Sequence, residues 1–212
     1  MLTLPFKVEG KKRQKNARAG LEDFRKVLNS VVIIPDDKLM EVAPDLSIVE
    51  AFKFADTVLA DSIRGITELV TRPGLINLDF ADIRAVLEDG GVSMPGFGRS
   101  DTENRAREAA DQALENPLLE ADTSKVSEAL ANIVGSPDLS LEEAEAVAHR
   151  ISENLSSDAS VTWGTQINEN LEKTIKVLII VPGVESPWAR GVGKPEKREE
   201  VEKALKDLKK IF

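Results

Sequence analysis

The chain has 212 residues, no cysteine, a single histidine and a formal net charge of −9, with a sequence pI near 4.9. That length accommodates one large domain or two small ones with real cores, and the acidic balance argues against a nucleic-acid surface, because phosphates call for a basic face. Disulfides, thiolate metal sites and histidine metal clusters are excluded. No apolar run approaches the roughly 20 residues of a membrane span, and Met1–Phe6 lacks the apolar core of a signal peptide. The expectation is a soluble, cytoplasmic α/β protein.

Leu2–Phe6 reads as a short strand and Gly20–Leu28 as a helix with Leu21, Phe24 and Leu28 on one face. Val31-Val-Ile-Ile-Pro35 is a β-branched run closed by proline, the pattern of a strand covered on both faces. Strand, helix and strand make a βαβ unit, too little to bury such a strand alone. A long helix follows, because Ile48, Phe52, Ala55, Leu59, Ile63, Ile66 and Val70 keep the helical period and Phe54 and Val58 widen the stripe. About 23 residues at 1.5 Å each make it roughly 34 Å long. Apolar on more than one side, it is expected to lie between two bodies of protein.

Pro73-Gly74 breaks that helix. Asn77 is placed to cap the next one, and Asp79 and Asp82 leave the same side of its first turn. Two readings of these acids stand side by side: they answer the helix dipole, or they form a carboxylate pair that orients a water. Phe80–Leu87 is the helix itself. Val92–Gly98 is glycine-rich, but its spacing fits neither a phosphate loop nor a dinucleotide fingerprint, so its expected role is structural. Glu103–Leu114 reads as a helix and Glu128–Val134 as a strand. Ser140-Leu-Glu-Glu143 has the form of a capping box and opens a helix through Ile151, with His149 expected at its surface. Val161–Trp163 and Ile175–Val181 read as strands. From Gly183 the glycine and proline content is that of a linker, and Glu196–Phe212 reads as an amphipathic helix that packs on its own domain or docks in a partner's groove.

One stretch carries more than periodicity. Asn-Leu-Asp-Phe-Ala-Asp (77–82), preceded by Gly-Ile-Thr-Glu-Leu-Val and Pro-Gly-Leu-Ile, resembles the synergy loop of FtsZ, the prokaryotic tubulin relative, and the resemblance runs from about Leu2 to about Pro187. It implies an α/β fold in four parts. Residues 1–47 would be a partial Rossmann-like βαβ from the nucleotide-binding domain, and 48–76 the central helix and synergy loop. Residues 77–183 would be an α+β domain with a mixed four-stranded sheet and helices on it, and 184–212 a linker and tail helix for an anchor or regulator.

The resemblance also implies a function, that of a cell-division GTPase working at the division site. By motif position, Glu9 and Arg13 match the ribose and phosphate-side residues of a GTP or GDP site with Mg²⁺. Phe52 and Asp56 match the residue that stacks on guanine and the acid that pairs with its N1 and N2 edge. Asp36 stands where the family usually has Asn in Pro-Asn-Asp, which replaces an amide with an acid. No glycine-rich phosphate loop occurs in these 212 residues, so the site is expected to be incomplete.

The chain thus resembles the C-terminal half of an FtsZ-like GTPase, inactive alone and dependent on an N-terminal half or on neighbouring subunits in a head-to-tail filament. In that filament Asp79 and Asp82, helped by Asn77, would act on the next subunit's triphosphate. Two other readings are a non-catalytic module that caps or regulates filaments, and an independent metal-dependent hydrolase.

Overall fold

In a computed structural model of the chain, described over residues 1–42, 45–88, 90–119 and 123–184, one six-stranded sheet lies between two layers of helices. The strands are β1 (Leu2–Leu4), β2 (Ser30–Pro35), β3 (Gly91–Ser100), β4 (Glu128–Gly135), β5 (Ser160–Ile167) and β6 (Ile175–Val181). The helices are α1 (Lys11–Val27), α2 (Asp36–Val42), α3 (Ile48–Thr71), α4 (Phe80–Leu87), α5 (Arg105–Leu114) and α6 (Leu141–Glu153). The expected linker and tail helix after Val184 lie outside the described residues.

The sheet order is β1-β2-β3-β6-β4-β5. β1 to β3 run parallel, β6 is antiparallel to both of its neighbours, and β5 is parallel to β4. The mixed four-stranded sheet is therefore present as β3-β6-β4-β5. The two strands of the βαβ unit do not stand apart from it. β2 joins β3 through the short register Ser30↔Gly91 to Val32↔Ser93, so one sheet runs through the whole fold.

Strand alternation sorts the core into two sides. Val31 and Ile33 of β2, Ala129, Ala131 and Ile133 of β4, and Ile175, Val177, Ile179 and Val181 of β6 face the layer that includes α1, α5 and α6. Val32, Leu130, Leu178 and Ile180 meet Leu69 of α3 and Ile83 and Val86 of α4 on the other side. Ile34 packs there with Leu39 of α2 and with Ala55 and Val58 of α3.

The face that α3 turns to the sheet differs from the expected apolar line. Ala51, Ala55, Val58, Ser62, Gly65 and Leu69 are buried, whereas Phe52, Ile63 and Val70 are exposed. Small residues win the inner face because the helix sits very close to the strands. A Cβ on Gly65 would come within 2.4 Å of the Leu178 side chain. The buried amide of Asn132 on β4 donates to the Gly65 carbonyl at 2.9 Å. On α1, likewise, only Leu21 of the expected face is buried, while Phe24 and Leu28 are 45% and 41% exposed.

The glycines of β3 have the structural role expected of them. A Cβ on Gly98 would stand 1.9 Å from the Ala109 carbonyl oxygen and 2.8 Å from the Ala113 nitrogen, so α5 lies directly on the strand backbone. Replacing Gly98 with Ala forces α5 off the sheet, at an expected cost of about 2 kcal/mol as for other overpacked cores. A urea melt of Gly98→Ala measures it, and an unchanged midpoint would mean that α5 moves away freely.

Candidate functional site

The five residues Glu9, Arg13, Asp36, Phe52 and Asp56, scattered over 48 positions of the sequence, line one cleft of about 770 Å³. Thr3 of β1 and Pro5 just after it, Lys12, Asn16 and Ala17 of α1, and Ala55 and Leu59 of α3 complete its wall. The local chain explains how each side chain is held. Glu9 closes a 3-10 turn (Lys7–Glu9), its Oε1 accepting from the Phe6 amide at 2.9 Å and its Oε2 pairing with Arg13 at 3.0 Å. The Phe52 ring meets Phe6 edge-on, with centroids 5.3 Å apart and planes at 84°. Asp36 opens α2 directly after Pro35 ends β2.

Electrostatically the cleft mixes three acids, Glu9, Asp36 and Asp56, with the cations Lys12 and Arg13. Asp36 is 5% exposed, and its Oδ1 has no hydrogen-bond partner among the described residues. Burial, and after it the neighbouring Glu9, Asp37 and Asp56, pushes its carboxyl up from the usual 3.8 to about 7. No group of three or more potential metal-ligating acids, histidines or cysteines occurs among the described residues.

The loop between α3 and α4 is held differently from expectation. Asn77 does not cap α4. Its Oδ1 accepts from the Gly74 amide at 2.7 Å and its Nδ2 donates to the Gly74 carbonyl at 3.3 Å, closing a turn. The cap is Asp79, which lies three residues before Asp82 and so can form a reciprocal box. Asp79 Oδ1 accepts from the Asp82 amide and Asp82 Oδ2 from the Asp79 amide, each at 2.9 Å. The second oxygen of each acid makes no hydrogen bond among the described residues.

Ile76 anchors the loop to β5, its amide donating to Thr165 Oγ1 and its carbonyl accepting the Thr165 amide. A Cβ on Gly74 would fall 1.7 Å from the Thr165 carbonyl oxygen, so only glycine fits there. Asn77, Asp79 and Asp82 are all exposed, flanked by Leu75 at 58% and Phe80 at 71%.

Cleft and loop thus occupy opposite edges of the sheet. The cleft adjoins β1 and the loop is pinned to β5, five strand spacings away, or about 24 Å. Along α3, Asp56 and the last residue, Thr71, are separated by about 22 Å at the helical rise. The arrangement can hold a planar ligand at one edge and offer two carboxylates at the other, but it cannot bring both to the same ligand. His149 is exposed on α6 beside Glu153, far from any cluster of ligating groups among the described residues.

Comparison with solved structures defines the class first. An empty FtsZ dimer from M. jannaschii matches with a TM-score of 0.82 and 46% identity, over 85% of this chain and 53% of that one. A GDP-bound CetZ1 monomer from Haloferax volcanii shares the fold alone, at a TM-score of 0.73 and 18% identity. The mixed α/β architecture is the one these proteins have in common.

Sequence narrows it further. Residues 91–185 match the C-terminal domain of the FtsZ family. The FtsZ 1 cell division protein of Thermococcus kodakarensis is 53% identical over 189 residues, and the FtsZ cell division protein of Haloferax mediterranei is 46% identical over 191 residues. Residues 91–185 are thus a C-terminal domain of the FtsZ family, and the chain as a whole is similar to the C-terminal half of FtsZ proteins. It spans about half the length of the curated relatives it matches, 50% and 51% of these two. No described helix is long and apolar enough to cross a membrane.

The residues that the sequence reading missed at the cleft are Lys12 and Asn16. They sit on the first half of α1, where no apolar periodicity marks a helix.

The raised Asp36 carboxyl has a consequence for stability. The folded value, about 7, lies above the unfolded 3.8, so its contribution is fully present below pH 3.8 and is lost as pH rises to 7. Asp36→Asn, which keeps the neutral shape, should leave stability nearly unchanged at pH 4 and raise it by on the order of 4 kcal/mol at pH 8. Chemical denaturation at the two pH values measures this, and an equal effect at both would refute the assignment.

Proposed function

We propose that this chain is the C-terminal part of a filament-forming GTPase of cell division. Its own cleft holds the guanine and ribose of one nucleotide, and its loop serves the GTP of the neighbouring subunit. The observation that carries this reading is the separation just described. The residues assigned here to the base and the acids assigned to the water lie on opposite edges of one sheet, so in this reading a single subunit does not complete a hydrolytic site. Head-to-tail contact between copies, or with a matching N-terminal half, brings the acids to the neighbouring triphosphate.

In that reading Phe52 lies against the face of the base and Asp56 accepts from the adjacent N–H groups of its edge. Glu9 and Arg13 stand on the ribose side. Across the contact, Asp79 and Asp82 each bring the oxygen not spent on capping to the attacking water, accept its hydrogens and hold it in line with the γ-phosphorus. Phosphoryl transfer depends mainly on such positioning and charge stabilisation. Asn77 keeps the loop in shape through Gly74. The exposed Leu75 and Phe80 give the loop apolar area to bury against its neighbour.

The exposed side of α3, with Val49, Phe52, Ile63 and Val70, supports a further body of protein against the first part of the chain. In the proposed division, residues 1–47 complete that nucleotide-binding domain, 48–76 bridge, and 77–183 activate.

Asp79→Asn is the decisive variant, because Asn caps a helix as well as Asp does while the charge is lost. When the chain is mixed with a full-length FtsZ relative whose own loop acids have been neutralised, GTP turnover should fall by about 100-fold or more relative to the unmodified chain, with the thermal midpoint unchanged. Undiminished turnover would remove the acids from catalysis. Sedimentation of the same mixture tests the capping alternative, in which adding the chain lowers the polymer instead of raising it.

A further inference from the structure

The cleft contains one group that base stacking and edge recognition leave unexplained. Asp36 is almost wholly buried, lines the cleft, and keeps Oδ1 without a partner among the described residues. Building on the nucleotide reading above, we propose that Asp36 is a proton-gated specificity contact of the base subsite. Protonated, it presents the base with a donor and an acceptor; ionised, it turns the base away.

The charges around it make the gate. Glu9 faces it from the 3-10 turn, Asp37 from its own helix and Asp56 from α3. The cations nearby are already engaged or stand apart. Arg13 pairs with Glu9 at 3.0 Å, Lys7 reaches Asp37 at 3.8 Å, and Lys12 lines the cleft without an ion pair to Asp36. A negative charge at Asp36 would therefore be the fourth in this group, buried and with no cation of its own, a costly arrangement that a bound proton relieves. The titration falls near neutrality, at about 7.

The chemistry of the two states then differs. A neutral carboxyl carries one O–H donor and one carbonyl acceptor, close to the pattern of a carboxamide, whereas a carboxylate only accepts. A purine that gives its adjacent N–H donors to Asp56 has ring-nitrogen or carbonyl acceptors left for a second contact. The protonated Asp36 can donate to one of these, and the ionised form repels it. The acid thus performs an asparagine's task, but only below about neutral pH.

The test uses GMP as the probe, with ¹⁵N–¹H shifts of the Phe52 and Asp56 amides as the readout, on the unmodified chain and on Asp36→Asn between pH 6 and pH 8. The protonated fraction of a group titrating at 7 falls from about 0.9 to about 0.1 over that range, which weakens apparent affinity about tenfold. The unmodified chain should show that loss on top of whatever Asp36→Asn shows, since both experience the same ionisation of the GMP phosphate. Equal pH slopes in the two chains overturn the gate and leave the nucleotide reading standing. No shifts in either chain at millimolar GMP and pH 6 overturn both.

Discussion

The contact on which the structure depends is the one that seats α3 against the sheet. The Asn132 amide reaches through the core to the Gly65 carbonyl at 2.9 Å, and Gly65 brings the helix so near β6 that even a methyl group would strike Leu178. A buried amide left without its acceptor would be costly, and a bulkier residue at Gly65 would lift the helix. Because α3 is fixed at this point, its two ends are fixed too. One carries Phe52 and Asp56 into the cleft, and the other delivers the chain to the loop on β5.

The molecule buries charge in two contrasting ways. Arg105 on α5 is nearly inaccessible, yet it meets Glu143 at 2.6 and 2.9 Å, Asp138 at 3.1 and 3.2 Å, and Ser136 at 3.2 Å. The Ser136 hydroxyl, and after it Arg105, holds the Asp138 carboxyl below its ordinary range, Arg105 does the same to Glu143, and their hydrogen bonds raise the guanidinium above its own and tie α5 to the start of α6. Asp36 has no such company, and its carboxyl moves in the opposite direction for that reason. A fully paired charge serves cohesion, whereas an unpaired one facing a cleft is available to a ligand.

Much of this was legible in the sequence, and where it was not the causes are physical. β2 from Val31 and β6 from Val177 are continuous apolar runs, so their positions could be read directly, and with them the double-sided burial of β2. The Ser140–Glu143 box starts α6 where its chemistry demands. α1 begins at Lys11, nine residues before the start expected at Gly20, because Lys11–Ala19 is built mostly from good helix formers that carry no stripe. α2 has only seven residues, too few for a period to show. β5 continues past Gly164 through Thr165 and Gln166, polar residues that hide a buried strand end. At the loop, Asn77 and Asp79 are both good caps by residue type. Only the three-residue step to Asp82 favours the second, and that step decides the geometry. The cleft was within reach for a different reason. Its residues have no common period, and their motif resemblance assembled them.

The straight run of α3 between cleft and loop also acts as a measuring rod. Each residue added to or removed from it between Asp56 and Arg72 would move the acids about 1.5 Å along the axis and swing them by about 100°. The tie between Ile76 and Thr165 would then have to break or drag β5 with it. The length of this helix is thus constrained independently of its side chains, because the count of residues is itself the dimension that sets the distance from cleft to loop.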